Sequence, residues 1–212
     1  MKSIMISIKP EWVAKILNGE KTIEVRKTAP KCDLPIDVYI YCTQGKYLFA
    51  PNGYNEHWWV QKYFGGESEY NKKVVAKFTL REVEKFDFIS DRKYEDNPLK
   101  YNEEIRKHNR ICREACLSAV DVVCYLDTKC LGSDNPSGMI GYAWHISDLV
   151  IFDRPRELSE FIPPKWDKCG VKDKNGLYQC NKCPYADWAN IQCKRKPLTK
   201  APESWCYMEE KE

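Results

Sequence analysis

The most informative pattern in this chain is the stretch Gly19-Glu20-Lys21-Thr22-Ile23-Glu24-Val25-Arg26. A short helix is predicted before it, because Pro10 suits a first helical position and apolar residues follow at helical spacing. Gly19 is placed to end that helix in the left-handed conformation. The alternation that follows predicts a strand, with Glu24 and Arg26 on one face and Lys21 at its mouth.

The ionisable side chains Lys21, Glu24 and Arg26 allow two kinds of chemistry. An amine and a carboxylate in proximity can exchange a proton if burial lowers the pKa of the amine or raises that of the carboxylate. Lysine and arginine can instead hold a phosphate while a glutamate accepts from the amino group of a base. A third interpretation is a solvated strand face with a surface ion pair and no ligand.

One family motif reads G-x-K-x-x-E-x-R. This chain matches it at Gly19, Lys21, Glu24 and Arg26. The pattern resembles that of the ASCH superfamily, a branch of the PUA-like β-barrels, and its placement after a first strand and a short helix is similar too. The late strand 142–146 resembles the aromatic-containing strand that closes the barrel in that family.

The closing stretch 201–207, Ala-Pro-Glu-Ser-Trp-Cys-Tyr, resembles the C-terminal signature of prophage and phage ASCH proteins from Gram-positive bacteria. The family resemblance implies a small β-barrel with a cleft that binds RNA or a nucleotide. We therefore predict recognition of RNA or of a modified nucleobase or nucleotide. The predicted ligand-binding side chains are Lys9, Lys21, Glu24, Arg26 and Trp144.

Within this cleft, Lys21 and Arg26 are expected to hold phosphate or carbonyl oxygen. Glu24 is expected to accept a hydrogen bond from a base or ribose, and Trp144 to stack on a base. An enzyme is the alternative, because one branch of the family hydrolyses N4-acetylcytidine with the motif lysine and the residue three positions further on. These positions correspond here to Lys21 and Glu24, and that branch carries threonine where this chain has Glu24.

A third possibility, from another class, is a phage-encoded protein-interaction module that contacts a host protein. Its interface would combine the cysteine-rich tail with the aromatic loop 45–71, which contains Trp58 and Trp59. Adjacent residues of an extended segment face opposite sides, so one of these two indoles is a candidate surface aromatic.

Composition excludes several classes of protein. The 212 residues carry 34 Lys and Arg against 31 Asp and Glu, and the resulting net charge of +3 is neither histone-like nor strongly acidic. A mean hydropathy of -0.62 describes a globular chain rather than a membrane protein, and no apolar run reaches the roughly 18 residues of a spanning helix. We therefore expect a cytoplasmic location without a membrane, where thiols stay reduced.

The sequence predicts an α+β fold in two parts. Residues 1–160 form the PUA-like β-barrel with short flanking helices and two insertions, about 45–71 and 90–136. The paired prolines Pro163 and Pro164 mark a boundary, since they cannot continue a helix or a central strand. Residues 161–212 form a cysteine-rich extension, which holds ten Lys and Arg against seven Asp and Glu and so carries the whole excess charge.

The cysteine-rich extension predicts a structural Zn²⁺ site. Its ligands would be Cys169, Cys180, Cys183 and Cys193, with Cys206 as an alternative ligand. A C-x2-C pair brings two thiolates to one metal through a tight turn, and zinc takes four ligands in a tetrahedron. A tail of this length with few aliphatic residues also needs such a staple to fold. The alternative is that one or more of these cysteines are core thiols.

Overall fold

The chain folds as a mixed β-sheet with three α-helices in a computed structural model that describes residues 2–44, 70–88, 98–126, 139–165, 174–175, 186–187, 192–193 and 195–211. The strands are β1 (Ser3–Ile8), β2 (Ile23–Arg26), β3 (Ile36–Cys42), β4 (Lys73–Phe88), β5 (Met139–Arg156), β6 (Phe161–Ile162), β7 (Ala186–Asp187), β8 (Gln192–Cys193) and β9 (Trp205–Glu210). The α-helices are α1 (Pro10–Leu17), α2 (Pro98–Glu114) and α3 (Ala119–Leu126). The predicted α+β class is confirmed.

Seven strands form one sheet in the order β2-β5-β4-β3-β1-β9-β6, in which β1 and β3 run parallel and the other neighbours antiparallel. The predicted closed barrel is wrong for the described residues, because no ladder joins the edge strands β2 and β6. A barrel must pair its two edges. Here those edges have only four and two residues.

The local signals in the sequence match the structure closely over the first strands and helices. Helix α1 begins at Pro10, and Gly19 follows it with a φ of 80°. The three-residue spacing of Ser118 and Asp121 predicts the start of a short helix, and α3 begins there, with the Asp121 carboxylate accepting from the backbone and hydroxyl of Ser118. Pro98 predicts the start of a polar helix that reaches Lys107. Helix α2 continues to Glu114, because a buried face extends through Ile111 to its last turn.

The sequence predicts two separate late strands, 140–146 and 149–152. In the structure both are parts of the single strand β5. The interruption between them is real, since Asp148 has a φ of 49° and the register against β4 shifts nearby. The sequence predicts one or two helical turns over residues 156–161. The structure has the 3-10 helix Leu158–Glu160 there, between two strands. A bulge inside a long strand and a strand break give the same pattern in sequence.

The domain boundary predicted at residue 160 lies inside the sheet. Strands β6 and β9 come after it, and β9 pairs with β1 through the register Met5–Cys206. Strands β7 and β8 form a separate two-stranded hairpin. The C-terminal 205–210 segment is therefore part of the same sheet as the N-terminal strand.

The main core lies between α1 and one face of the sheet. Its fully buried members include Ile4, Ile6, Val13, Ile16, Val38, Ile40, Phe78, Leu80 and Trp144. A second core packs α2 and α3 against β2, β4 and β5, and a third covers the opposite sheet face around Met5 and Phe161. The second core matters for function because it fixes the C-terminus of α2 against the start of β2.

Residues 45–69, which include most of the predicted aromatic loop, lie outside the described residues. Within the described segments, no helix is long and apolar enough to cross a membrane.

Candidate functional site

Strand β2 positions the motif side chains. It pairs antiparallel with β5, so that Glu24 lies opposite Trp144 and Arg26 opposite Tyr142. Glu24 and Arg26 share one face of the strand as predicted, and Glu24 bridges Arg26 to Lys21. We call Lys21, Glu24 and Arg26 the motif cluster.

Lys21 lies at the C-terminus of α2. Its ammonium Nζ donates to the carbonyl of Ala115 at 2.8 Å and lies 3.2 Å from Glu24 Oε2. The ring centroid of Trp12 is 5.5 Å away, within cation–π range. The negative end of a helix dipole and a carboxylate both attract a lysine side chain. Lys21 is thus held between the end of α2 and Glu24 of β2.

Arg26 connects β2 to both termini of the chain. Its Nη2 donates to the carbonyl of Ser7 at 2.8 Å, and its Nη1 donates to Ser204 Oγ at 3.2 Å. Nη2 also lies 3.0 Å from Glu24 Oε1. Its Nε is buried and has no hydrogen-bond partner among the described residues. One donor of this guanidinium is therefore unused.

The motif cluster is buried, so the interpretation as a solvated strand face is wrong. Lys21 is 3% exposed, Glu24 8% and Arg26 6%. The strand is covered by α2 on one side and by the C-terminal segment on the other, through Ala115 and Ser204. Two cations share one carboxylate, which leaves a net charge of about +1 in a desolvated place. Buried charge of this kind is costly unless it is paired.

The other two predicted ligand-binding side chains lie elsewhere. Lys9 is exposed and precedes α1 in an extended conformation. Trp144 is 0% exposed, its Nε1 donates to the carbonyl of Thr28 at 3.3 Å, and its ring packs edge-on against Trp205. Trp144 is a core residue in this arrangement and presents no ring face to a ligand.

Several site residues cannot be predicted from the motif. The Ala115 carbonyl comes from 94 positions away, on an insertion whose sequence gives no sign of this contact. Trp12 is recognisable in the sequence only as part of a helix face. Ser204 and Trp205 belong to the closing stretch that carries the family resemblance, so a signal exists there. Trp205 Nε1 donates to Thr28 Oγ1 at 3.0 Å, which ties β9 to the end of β2.

The predicted zinc ligands Cys169, Cys180 and Cys183 lie outside the described residues, and only the backbone of Cys193 is described. Cys206 is on β9, packed beside the third core, and burial raises the pKa of its thiol. A metal needs the thiolate. In the part of the chain that the structure describes, no three His, Cys, Asp or Glu side chains are grouped to hold a metal ion.

A second group of charges lies where α2 packs on β4, and we call Glu84, Lys107, Arg110 and Glu114 the helix cluster. Glu84 Oε2 is 2.5 Å from Arg110 Nη2, Glu84 Oε1 is 3.3 Å from Lys107 Nζ, and Arg110 also pairs with Glu114. His145 Nε2 lies 3.5 Å from Glu84. Burial alone would raise the pKa of Glu84, but hydrogen bonds from Arg110 and Lys107 bring it below its ordinary value.

Comparisons of sequence gave no match, either to a known protein family or to a curated protein. Among solved structures, the chain is similar to the ASCH protein of Zymomonas mobilis, with a TM-score of 0.42, 19% identity, and coverage of 98% of this chain and 87% of the other. A point mutant of that protein gives a TM-score of 0.45, 18% identity, and coverage of 99% and 91%. At this level of similarity, membership of the ASCH superfamily stays a prediction from the motif, and a prophage origin stays a prediction from the closing stretch 201–207, which the comparisons do not support.

Proposed function

We propose that this chain binds RNA or a modified nucleobase at the motif cluster. One observation carries the proposal: the buried cluster has two cations for one carboxylate, and Arg26 Nε is a buried donor with no partner among the described residues. A ligand with an anionic or carbonyl oxygen would supply the missing acceptor. Charged groups that are buried together beside a specific partner are candidates for a functional site.

The burial of the cluster limits the shape of the ligand. Because its residues are less than a tenth exposed, the cluster offers no surface for an intact duplex, and the ligand we propose is the edge of a base or an acyl group. Arg26 would donate to an oxygen of the ligand, and Glu24 would accept from an amino group. Trp12, which is partly exposed and lies near Lys21, is a better stacking surface than the buried Trp144. Lys9 would then contribute only at the rim.

Calorimetry with single nucleosides, modified nucleosides and short single-stranded RNA tests this proposal. Arg26→Gln should lower affinity at least tenfold, since the charged guanidinium and its one unused buried donor, Nε, are lost. The matched control is Arg81→Gln, because Arg81 is an exposed arginine paired only with Asp148 in the described structure. If neither nucleosides nor RNA bind the unaltered chain, the proposal is wrong, and a partner protein that co-purifies would favour the interaction module.

An amidohydrolase is a second candidate, supported by the 3.2 Å contact between Lys21 Nζ and Glu24 Oε2. Such a pair can relay a proton as water adds to an acyl carbon and the amine leaves. Incubation with N4-acetylcytidine should then release cytidine and acetate, and Lys21→Met should abolish the release. Unchanged substrate after incubation with the unaltered protein would exclude this activity while leaving ligand binding intact.

We also propose that the tail holds a structural zinc ion through Cys169, Cys180, Cys183 and Cys193. Support comes from the β7–β8 hairpin, which pairs Cys193 with Ala186, three residues after Cys183 in the sequence. Cys206 is a poorer candidate, because it belongs to the seven-stranded sheet. Mass spectrometry of metal content after purification without chelator should find one zinc per chain. Metal-free protein with an intact fold would contradict the site.

A further inference from the structure

The exposed face of α2 carries arginines in a regular row. Arg106, Arg110 and Arg113 occur at positions i, i+4 and i+7, which places them on one ridge of a helix. Arg110 is engaged by Glu84 and Glu114 in the helix cluster. Arg106 is exposed, and none of the described carboxylates lies within ion-pair distance of it. The Arg113 side chain is 76% exposed and its nearest carboxylate, that of Glu114, is 3.7 Å away.

A second row of donors runs beside this ridge. Asn102 and Asn109, also seven positions apart, are exposed on the same side of α2. Two helical turns, about 10 Å along the axis, separate the first and last members of each row. Within α2 the one exposed carboxylate is that of Glu103, at the opposite border of the ridge. The face is therefore rich in donors and net positive, although residues 1–160 as a whole are neutral.

The ridge ends at the motif cluster. The carbonyl of Glu114 accepts from the backbone of Thr22 at 2.9 Å, and the next carbonyl, that of Ala115, accepts from Lys21. Arg113 is thus one residue from the contact between Glu114 and Thr22, the residue before β2. The C-terminal end of the ridge therefore lies beside the residues that lead into the motif cluster.

We propose that this face of α2 binds the phosphate backbone of a single-stranded RNA, one base of which enters the motif cluster. The inference rests on the proposed function for one part, the binding of a base at the motif cluster. Arginine forks match phosphate oxygens, and exposed arginines can adjust to the path of a flexible strand. An unpaired strand is required because the recessed motif cluster cannot receive a paired base.

The composition of the face argues against a protein partner. Protein interfaces are centred on buried aromatic and aliphatic anchors. On α2 the large exposed apolar side chain is Leu99, at the far end of the helix from the motif cluster. A surface with many hydrogen-bond donors and few apolar side chains is suited to bind the phosphates of a nucleic acid.

The test compares two charge-matched double variants by fluorescence anisotropy with a labelled oligouridine, over salt concentrations from low to physiological. Arg106→Gln with Arg113→Gln removes the ridge, and Arg81→Gln with Arg154→Gln removes two exposed arginines elsewhere. The ridge variant should bind at least tenfold more weakly. Its slope of log affinity against log salt should fall by about 1.4, since each phosphate contact on a single strand contributes about 0.7. The control should stay within twofold.

The affinity for a single nucleoside separates this inference from the proposed function. It should be unchanged in the ridge variant, because neither arginine contacts the motif cluster. If oligouridine binds no tighter than a nucleoside, or if both double variants lose affinity equally, the ridge proposal is wrong and the motif proposal stands. If the ridge effect persists but nucleosides do not bind, the ridge stands and the motif proposal is wrong. Equal binding of polyglutamate would point to an acidic protein instead and overturn the RNA assignment.

Discussion

The motif cluster and the helix cluster are built from the same residue types but differ in burial and balance. Every residue of the motif cluster is less than a tenth exposed, whereas the side chains of Glu84, Lys107, Arg110 and Glu114 are exposed by 20–35%. The motif cluster has two cations for one carboxylate, and the helix cluster has two for two. Among the members of the two clusters, only Arg26 has a buried donor without a described hydrogen-bond partner.

The difference shows how a binding site can be told from a structural ion pair. A balanced, partly solvated network is satisfied by itself and contributes little beyond holding α2 on β4. A buried network with unequal numbers of positive and negative charges destabilises the fold unless other groups of the protein or a ligand supply the missing acceptors. Here internal carbonyls of Ser7 and Ala115 supply some of them. We propose that a ligand supplies the acceptor that is still missing for Arg26 Nε.

Neutralising the glutamate of each cluster should give the largest contrast. Glu24→Gln leaves two buried cations without a counter-charge, so we expect a loss of about 3–5 kcal/mol in the free energy of unfolding. Glu84→Gln should lose about 1 kcal/mol or less, because water reaches its partners. Urea denaturation of both variants measures the difference. Equal losses would show that burial and balance do not separate the two clusters.

A substitution at Gly19, which precedes the motif cluster, should have a smaller effect on the free energy of unfolding. Gly19 has a φ of 80° and no atom within 4 Å of the position that a Cβ would take, so Gly19→Ala meets backbone strain without a steric clash. We expect a loss of about 1 kcal/mol in unfolding free energy. Thermal denaturation measures it. Gly141→Ala is the steric counterpart, since its Cβ would lie 2.3 Å from the Phe86 ring, and a smaller loss there would contradict the packing of β5 on β4.

The smallest expected effect is that of acid on the contribution of Glu84 to the free energy of unfolding. The pKa of Glu84 is lower in the folded chain than its ordinary value, so the carboxylate stabilises the fold above that ordinary value. This contribution is lost as the pH falls through the lowered pKa. Unfolding free energies of the unaltered chain and Glu84→Gln should therefore differ by a few tenths of a kcal/mol near neutral pH and converge in acid. A difference that grows on acidification would mean that the sign is wrong.

Local patterns predicted the elements that present the motif. Pro10, Gly19 and the alternation up to Arg26 predicted α1 and β2, and the Ser118–Asp121 pair predicted the start of α3. These signals depend on residues a few positions apart, which is why they can be found in one sequence. The side on which Glu24 and Arg26 lie followed from the same short-range rule.

Contacts between distant parts of the chain could not be predicted. The Ala115 carbonyl on Lys21, the Ser204 hydroxyl on Arg26 and the complete burial of Trp144 all depend on how separate elements pack. The open sheet and the position of β9 beside β1 also depend on contacts between distant parts of the chain. Strand pairing and burial arise from the packing of whole surfaces, and no residue pattern a few positions long records them. The sequence therefore established which charged groups share β2, and the packing of α2 and β9 established that they are buried, unbalanced and short of one acceptor.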